Sequence, residues 1–240
     1  MSEARSVLIT GANRGLGHEL WRVFAKEGWR TFPLVRSAQD AQSLVQIEPL
    51  LCHPIVADVA TDEVARSIES MLAKHALCLD VVINNAGIPG SASRLSDVTT
   101  EEVLKLLQVH CLGALRVCKA AMPWLQRAKR PVVVNVSSRL GSLSKNAGGE
   151  FSGRGFSYAY RIAKAAQNML SVCLAEEFSS AGISVLAIHP GLFKSATAAS
   201  DATLSPEFAA QRFYRWLLEQ PPSVCCRYFE PSVGEGTGSV

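Results

Sequence analysis

Apolar residues follow two alternating rhythms along this chain. Short β-branched runs give way to longer stretches in which apolar positions recur every three or four residues. The runs predict strands over 6–10, 30–35, 53–57, 80–84, 131–137 and 183–189. The longer periods predict helices over 15–28, 61–76, 99–127, 157–181 and 205–219. Strands this apolar are buried on both faces, as in a parallel sheet covered by helices. The first helix carries Leu16, Leu20, Val23 and Phe24 on one side, a stripe suited to such a sheet. Gly28 and Gly182 stand where helix C-terminal caps belong. The Ser- and Gly-rich segment 139–156 reads as a loop and 231–240 as a frayed tail, with no internal repeat. The expected architecture is α/β: one domain over 1–240, a doubly wound parallel sheet with helices on both faces. Ligands of such sheets sit at the carboxyl ends of the strands.

Composition narrows the class. A chain of 240 residues, 48% hydrophobic, is long enough for one well-filled core. The net charge of +3 comes without a basic run, so nothing points to nucleic acid or a membrane surface. Seven cysteines, an odd number without metal-ligand spacing, read as reduced core residues. The N-terminal residues lead straight into a strand, with no signal peptide or membrane-length apolar run, which suggests a cytoplasmic protein.

Two segments carry chemistry. Ser6–Ile9 closes on Thr10-Gly11-Ala12-Asn13-Arg14-Gly15-Leu16-Gly17, a strand, a glycine turn and a helix start. Glycines let the backbone approach a ligand, and a helix N-terminus offers free N–H groups to a diphosphate. The second strand ends Val35-Arg36-Ser37, without the acid that NAD-selective folds commonly place against a ribose hydroxyl. Arg14 and Arg36 instead suit a 2′-phosphate, which points to NADP(H). Further on, Tyr160 and Lys164 share a helix face at i and i+4. An ammonium beside a phenol is expected to pull its pKa, ordinarily about 10, towards neutral, making a general acid/base. Tyr158 is the rival phenol, but the residue four on from it is Ile162, which carries no charge.

Thr10–Gly17, Asp58-Val59, Asn84-Asn85-Ala86-Gly87, Ser137-Ser138 and Tyr160–Lys164, followed by Pro190-Gly191, stand in the order of the short-chain dehydrogenase/reductase family. The chain resembles that family in its single-domain, Rossmann-type form from about Val7 to about Ser195. Ser138–Ser142 and Tyr158–Arg161 look most like the C-factor/Sniffer-like carbonyl reductases. The resemblance implies NADP(H)-dependent reduction of an aldehyde or ketone, or oxidation of the corresponding alcohol. It implies that Gly11, Asn13, Arg14, Gly15, Leu16 and Gly17 cradle the cofactor with Arg36. Asp58 would accept from the adenine amino group and Val59 would offer a backbone N–H. Asn85, Ala86 and Gly87 would line the cofactor floor, and Pro190-Gly191 would lead a loop over the nicotinamide. Ser195 stands where relatives usually have a threonine. Tyr160 and Lys164 would also contact the cofactor. Ser138, the second serine of its pair, would bind the substrate oxygen, with Ser137 as competitor. Helices 99–127 and 157–181 commonly form a dimer interface in the family; Leu115, Val172 and Leu174 could contribute to such a patch or to the monomer's own core.

Two departures stand out. His110 replaces the asparagine that normally holds a helix irregularity and a water linked to the lysine; an imidazole can keep that relay but titrates near neutrality. The interval from Ser138 to Tyr160 is long for the family, and its extra stretch around Lys145–Arg154 is either a flap at the substrate mouth or an inert insertion. Phe151, Phe156, Leu192 and Phe193 suggest an apolar ligand body. Two alternatives remain at this level: a dinucleotide-binding signalling or regulatory module with little turnover, and an NAD-linked alcohol dehydrogenase.

Overall fold

The computed structural model describes residues 4–191, 204–219 and 227–229. Seven strands form one parallel sheet: β1 (Ser6–Thr10), β2 (Arg30–Val35), β3 (Ile55–Val56), β4 (Val81–Asn84), β5 (Val132–Val136), β6 (Ser184–Ile188) and β7 (Arg227–Phe229). Their order is β3-β2-β1-β4-β5-β6-β7, so the winding direction reverses between β1 and β4. Adjacent strand ends diverge at that reversal, leaving a crevice at the carboxyl edge. β7, which pairs with the end of β6, was not anticipated.

Helices cover both faces, as the apolar runs require. On one face pack α1 (Gly15–Lys26), α2 (Ala38–Ile47) and α8 (Pro206–Glu219). On the other pack α3 (Glu63–His75), α5 (Gly113–Leu125) and α7 (Tyr158–Phe178). Successive strand side chains alternate between them: Val7 and Ile9 enter the first core, Leu8 the second. The expected stripe of α1 is realised in Leu16, Leu20 and Phe24, all buried. Phe24, Trp29 and Tyr214 meet edge to face, and Trp29 Nε1 donates to Tyr214 Oη at 3.1 Å, fastening α1 to α8. Gly28 and Gly182 take the left-handed conformation (φ 75° and 68°) of helix-ending glycines.

The single helix expected over 99–127 is three pieces: α4 (Thr100–Leu107), a π-helical turn at Gln108–Leu112, and α5. The expected loop 139–156 contains a 3₁₀ turn (Arg139–Gly141) and the short helix α6 (Leu143–Ala147). Helix α2 was missed; Ser37 caps it, accepting from Asp40 N at 3.1 Å. Cys52 and Cys118 are core residues as expected, whereas Cys173 is exposed. Among the described residues no helix is long and apolar enough to cross a membrane. The expected tail 231–240, Ser195, Leu192, Phe193, Cys225 and Cys226 lie outside the described residues.

Candidate active site

The carboxyl edge of the sheet is built around the glycine turn. Gly11 and Gly15 have φ of 67° and 57°, which side chains other than glycine rarely adopt. A β-carbon on Gly17 would lie 2.3 Å from both Asn85 Nδ2 and Gly11 O. Asn85 is the staple: its Nδ2 donates to Thr10 O at 3.0 Å and Gly11 O at 3.3 Å. Thr10 Oγ1 answers by accepting from Asn85 N and Ala86 N, each at 3.0 Å. The strand ends on either side of the crevice are thus locked together. Arg14, the N-cap of α1, makes no side-chain cap bond, and Gly15 faces open space. Free N–H groups and a positive dipole end are thereby left for an anion. The cradle fits a dinucleotide diphosphate.

Arg14 and Arg36 are both exposed, beyond the neighbouring ends of β1 and β2. Asp58 is partly engaged with its own turn, its Oδ1 accepting from Ala60 N at 2.9 Å. The side chain of Val59 is buried and meets Gly113, leaving its backbone as the part available to a ligand.

Beside this cradle opens a cleft of about 310 Å³. Of the anticipated site residues, Leu16, Asn85, Gly87, Pro190 and Gly191 line its cofactor side, and Ser138, Tyr160, Lys164 and His110 its inner wall. Gly11, Asn13, Arg14, Gly15, Gly17, Arg36, Asp58, Val59 and Ala86 do not line it; they belong to the strand-end edge alongside. The two serines divide their tasks. Ser137 Oγ donates to Asn168 Oδ1 at 2.5 Å and is spent inside the fold. Ser138 accepts from Leu140 N at 3.2 Å and lines the same wall of the cleft as the Tyr160 phenol. Tyr158 lies instead under Arg161, 5.2 Å from guanidinium carbon to ring centre.

Lys164 sits one turn from Tyr160, as the spacing requires, but the electrostatic expectation is corrected. Its Nζ donates to Val136 O at 2.6 Å and Gln167 Oε1 at 2.9 Å, and lies 5.8 Å from the Tyr160 ring centre. Burial lowers the ammonium to about 7. Burial also raises the Tyr160 phenol to about 12, against a smaller lowering by Ser138. The tyrosine is therefore pushed up, not pulled down. Desolvation disfavours charge on both groups and outweighs their proximity.

His110 occupies the π-helical turn, so the helix irregularity persists with imidazole in place of the expected amide. Its Nε2 lies 2.9 Å from Ile88 O and 3.3 Å from Ile88 N, so the tautomer sets which of the two it engages, while Nδ1 is buried with no partner among the described residues. The ring stands edge-on to Tyr160 at 5.4 Å between centres. Burial, then the charge of Lys164, push its pKa to about 3. It stays neutral at working pH, and the anticipated repulsion with Lys164 does not arise.

Sequence reasoning missed Gln167, which lies three residues after Lys164 on the same helix face; that spacing was the available signal. It also passed over His189 as a cleft-lining residue. Of the residues suggested for a dimer face, Leu174 is core, while Leu115 and Val172 are exposed.

Comparison with known proteins agrees with this geometry. The family model for short chain dehydrogenase matches residues 5–204. The C-signal protein of Myxococcus xanthus is 32% identical over 152 residues, covering 63% of this chain and 88% of that protein. The carbonyl reductase of Pseudomonas aeruginosa PAO1 superposes with a TM-score of 0.81 at 26% identity, over 95% of this chain and 97% of that one. An NADPH-bound carbonyl reductase from chicken fatty liver shares the fold with a TM-score of 0.82 at 23% identity, over 96% of this chain and 97% of that one.

Proposed function

The chain belongs to the short-chain dehydrogenase family, and we propose that within it this protein reduces an aldehyde or ketone to an alcohol using NADPH. The observation that carries this reading is that Ser138, Tyr160 and Lys164 line one wall of the same cleft, with Lys164 one helical turn from Tyr160. Gly11 to Gly17 hold the diphosphate, Asp58 and the Val59 backbone hold the adenine, and Arg14 and Arg36 take the 2′-phosphate that distinguishes NADPH from NADH. NADPH, when bound, supplies the hydride. Ser138 fixes the substrate oxygen, a positioning effect. Tyr160 gives that oxygen its proton: a phenol held at about 12 is fully protonated at neutral pH and therefore competent to donate. Lys164, near 7, carries charge or gives it up within the working range. His110 brings a buried, unpartnered Nδ1 to the back of the site. Exposed Leu115 and Val172 are available to a homodimer contact.

The test is NADPH oxidation on a panel of aldehydes and diketones. Tyr160→Phe should abolish turnover while retaining NADPH affinity, and unaffected turnover would refute the assignment. A second reading is favoured by the identity to C-signal: a dinucleotide-responsive signalling module with little turnover. Tight NADPH binding with no reduction across the panel would select it.

A further inference from the structure

The helix that carries Tyr160 begins against a wall with no regular structure of its own. The first N–H groups of a helix have no acceptor within it. In α7, Tyr160 N donates to Oγ of the N-cap Ser157 at 3.2 Å, and Tyr158 N donates outside the helix, to Ala92 O at 2.9 Å. Ala92 belongs to the irregular stretch 85–93, of which Gly87, Ile88, Pro89 and Gly90 line the same cleft as Tyr160. The two pieces touch: a β-carbon on Gly90 would lie 2.1 Å from Ser157 Oγ and 3.2 Å from Leu106 of α4. Glu102 fixes the stretch from outside. Thr99 caps α4 by accepting from Glu102 N at 3.1 Å, half of a capping box. In that motif the glutamate reaches back to the cap's own N–H. Here its Oε1 accepts instead from Ser91 N at 2.6 Å, Ser91 Oγ at 3.0 Å and Ala92 N at 3.4 Å. These bonds, that of Ser91 N foremost, hold the Glu102 carboxyl below its ordinary range.

We infer that Glu102 is a positioning residue: through Ser91 and Ala92 it fixes the cleft wall against the first turn of α7, and so sets where the Tyr160 hydroxyl stands in the cleft. The consequence for catalysis rests on the proposed carbonyl reduction. Backbone outside helices and strands depends on other partners to satisfy its N–H groups. One carboxylate oxygen serving three donors on two adjacent residues is a charge-assisted anchor. Without it, Ala92 O is no longer held beneath Tyr158 N, and the turn that carries Tyr160 loses its outside acceptor. A reacting group misplaced by about 1 Å costs on the order of a hundredfold in rate. Glu102 itself does not line the cleft, so it acts through these residues and not on a ligand. The glycine turn is held by separate bonds from Asn85 to Thr10 and Gly11, which leaves the cofactor cradle untouched.

The experiment measures kcat, and KM for NADPH, in three variants of the full chain, with whichever aldehyde of the panel is reduced fastest. Glu102→Ala removes the acceptor, Glu102→Asp keeps the charge but falls one methylene short, and Glu102→Gln keeps an oxygen at the same reach. In the first two kcat should fall about tenfold or more, and in Glu102→Gln it should stay within about threefold, with KM for NADPH unchanged throughout. An unaltered kcat in Glu102→Ala overturns the inference, as does a Glu102→Gln variant equally slow, or a fall in kcat matched by a rise in KM for NADPH. Failure of the underlying reaction looks different: the unaltered protein reduces no aldehyde. Hydrogen exchange of the Tyr158 amide, followed by NMR, then decides without turnover. Exchange about tenfold faster in Glu102→Ala than in Glu102→Gln, with the β5 amides unchanged, upholds the placement of Tyr160 by Glu102. Equal exchange in the two variants overturns it.

Discussion

Replacing Gln167 with leucine perturbs the lysine where the chain grips it. Gln167 is buried, and its Oε1 is one of two acceptors of Lys164 Nζ, at 2.9 Å, the other being Val136 O at 2.6 Å. A hydrogen bond to a charged group contributes about 1.5–3 kcal/mol. A neutral amine retains part of such a bond, so the differential lost is of the order of 1.4 kcal/mol, about one pKa unit. The sign is fixed, because a carbonyl oxygen favours ammonium over amine. Lys164, already lowered to about 7 by burial, should titrate about one unit lower still. At pH 7 its charged share would fall from about half to about one tenth. Leucine has a volume close to that of glutamine, which limits repacking. The assay is an NMR titration of lysine labelled at Cε, with the Lys164 signal identified by its absence in Lys164→Met. In parallel, the pH profile of carbonyl reduction should move its lysine-dependent limb to lower pH by the same amount. A midpoint that stays put or rises in Gln167→Leu would show that burial alone sets this lysine and that the amide is a bystander.

Lys164 also ties stability to pH. Its native pKa of about 7 lies below the ordinary 10.4 or so, hence the folded state disfavours the proton, a cost fully present below pH 7 and relieved as pH rises towards 10. Thermal stability should therefore climb more steeply between pH 7 and 9 in the wild type than in Lys164→Met; equal slopes would contradict the burial argument. In the glycine turn, Gly17→Ala drives a β-carbon to 2.3 Å from Asn85 Nδ2 and Gly11 O, with an expected loss of about 1–3 kcal/mol and of NADPH affinity. Gly15→Ala meets nothing within 4 Å and bears only the strain of φ 57°, about 1 kcal/mol. Urea unfolding and NADPH titration rank the two, and equal damage would refute the close packing. Because His110 is held near 3, His110→Asn should leave every limb of the pH profile above pH 5 where it was; a displaced limb would mean that the imidazole titrates in the working range.

Periodicity exposed the frame because each strand is buried on both faces and each main helix on one. The misses have physical causes. Helix α2 buries only Ala41 and Leu44, a stripe too thin to register beside its glutamines; Ser37 at its cap was the remaining signal. β7 is three residues long and owes its existence to pairing with β6, a contact no local pattern contains. The π-helical turn shifts the helix by part of a turn without breaking its apolar rhythm, and only the out-of-place His110 marked it. In the site, motif spacing put Ser138, Tyr160 and Lys164 in one cleft, but spacing conveys proximity and not solvation. Gln167, polar on a buried face, holds the lysine from a position that looks like helix surface when read alone.

The corrected electrostatics bears on the direction of the chemistry. Burial moves Tyr160 and Lys164 in opposite senses, one to about 12 and the other to about 7, and in both it favours the uncharged form. A phenol so placed keeps its proton throughout the neutral range. It can deliver that proton to a carbonyl oxygen, whereas taking one from an alcohol first requires phenolate in a site that excludes it. Any added positive charge beside the phenol would lower its pKa and ease the reverse reaction, while carboxylate at the mouth would act the other way.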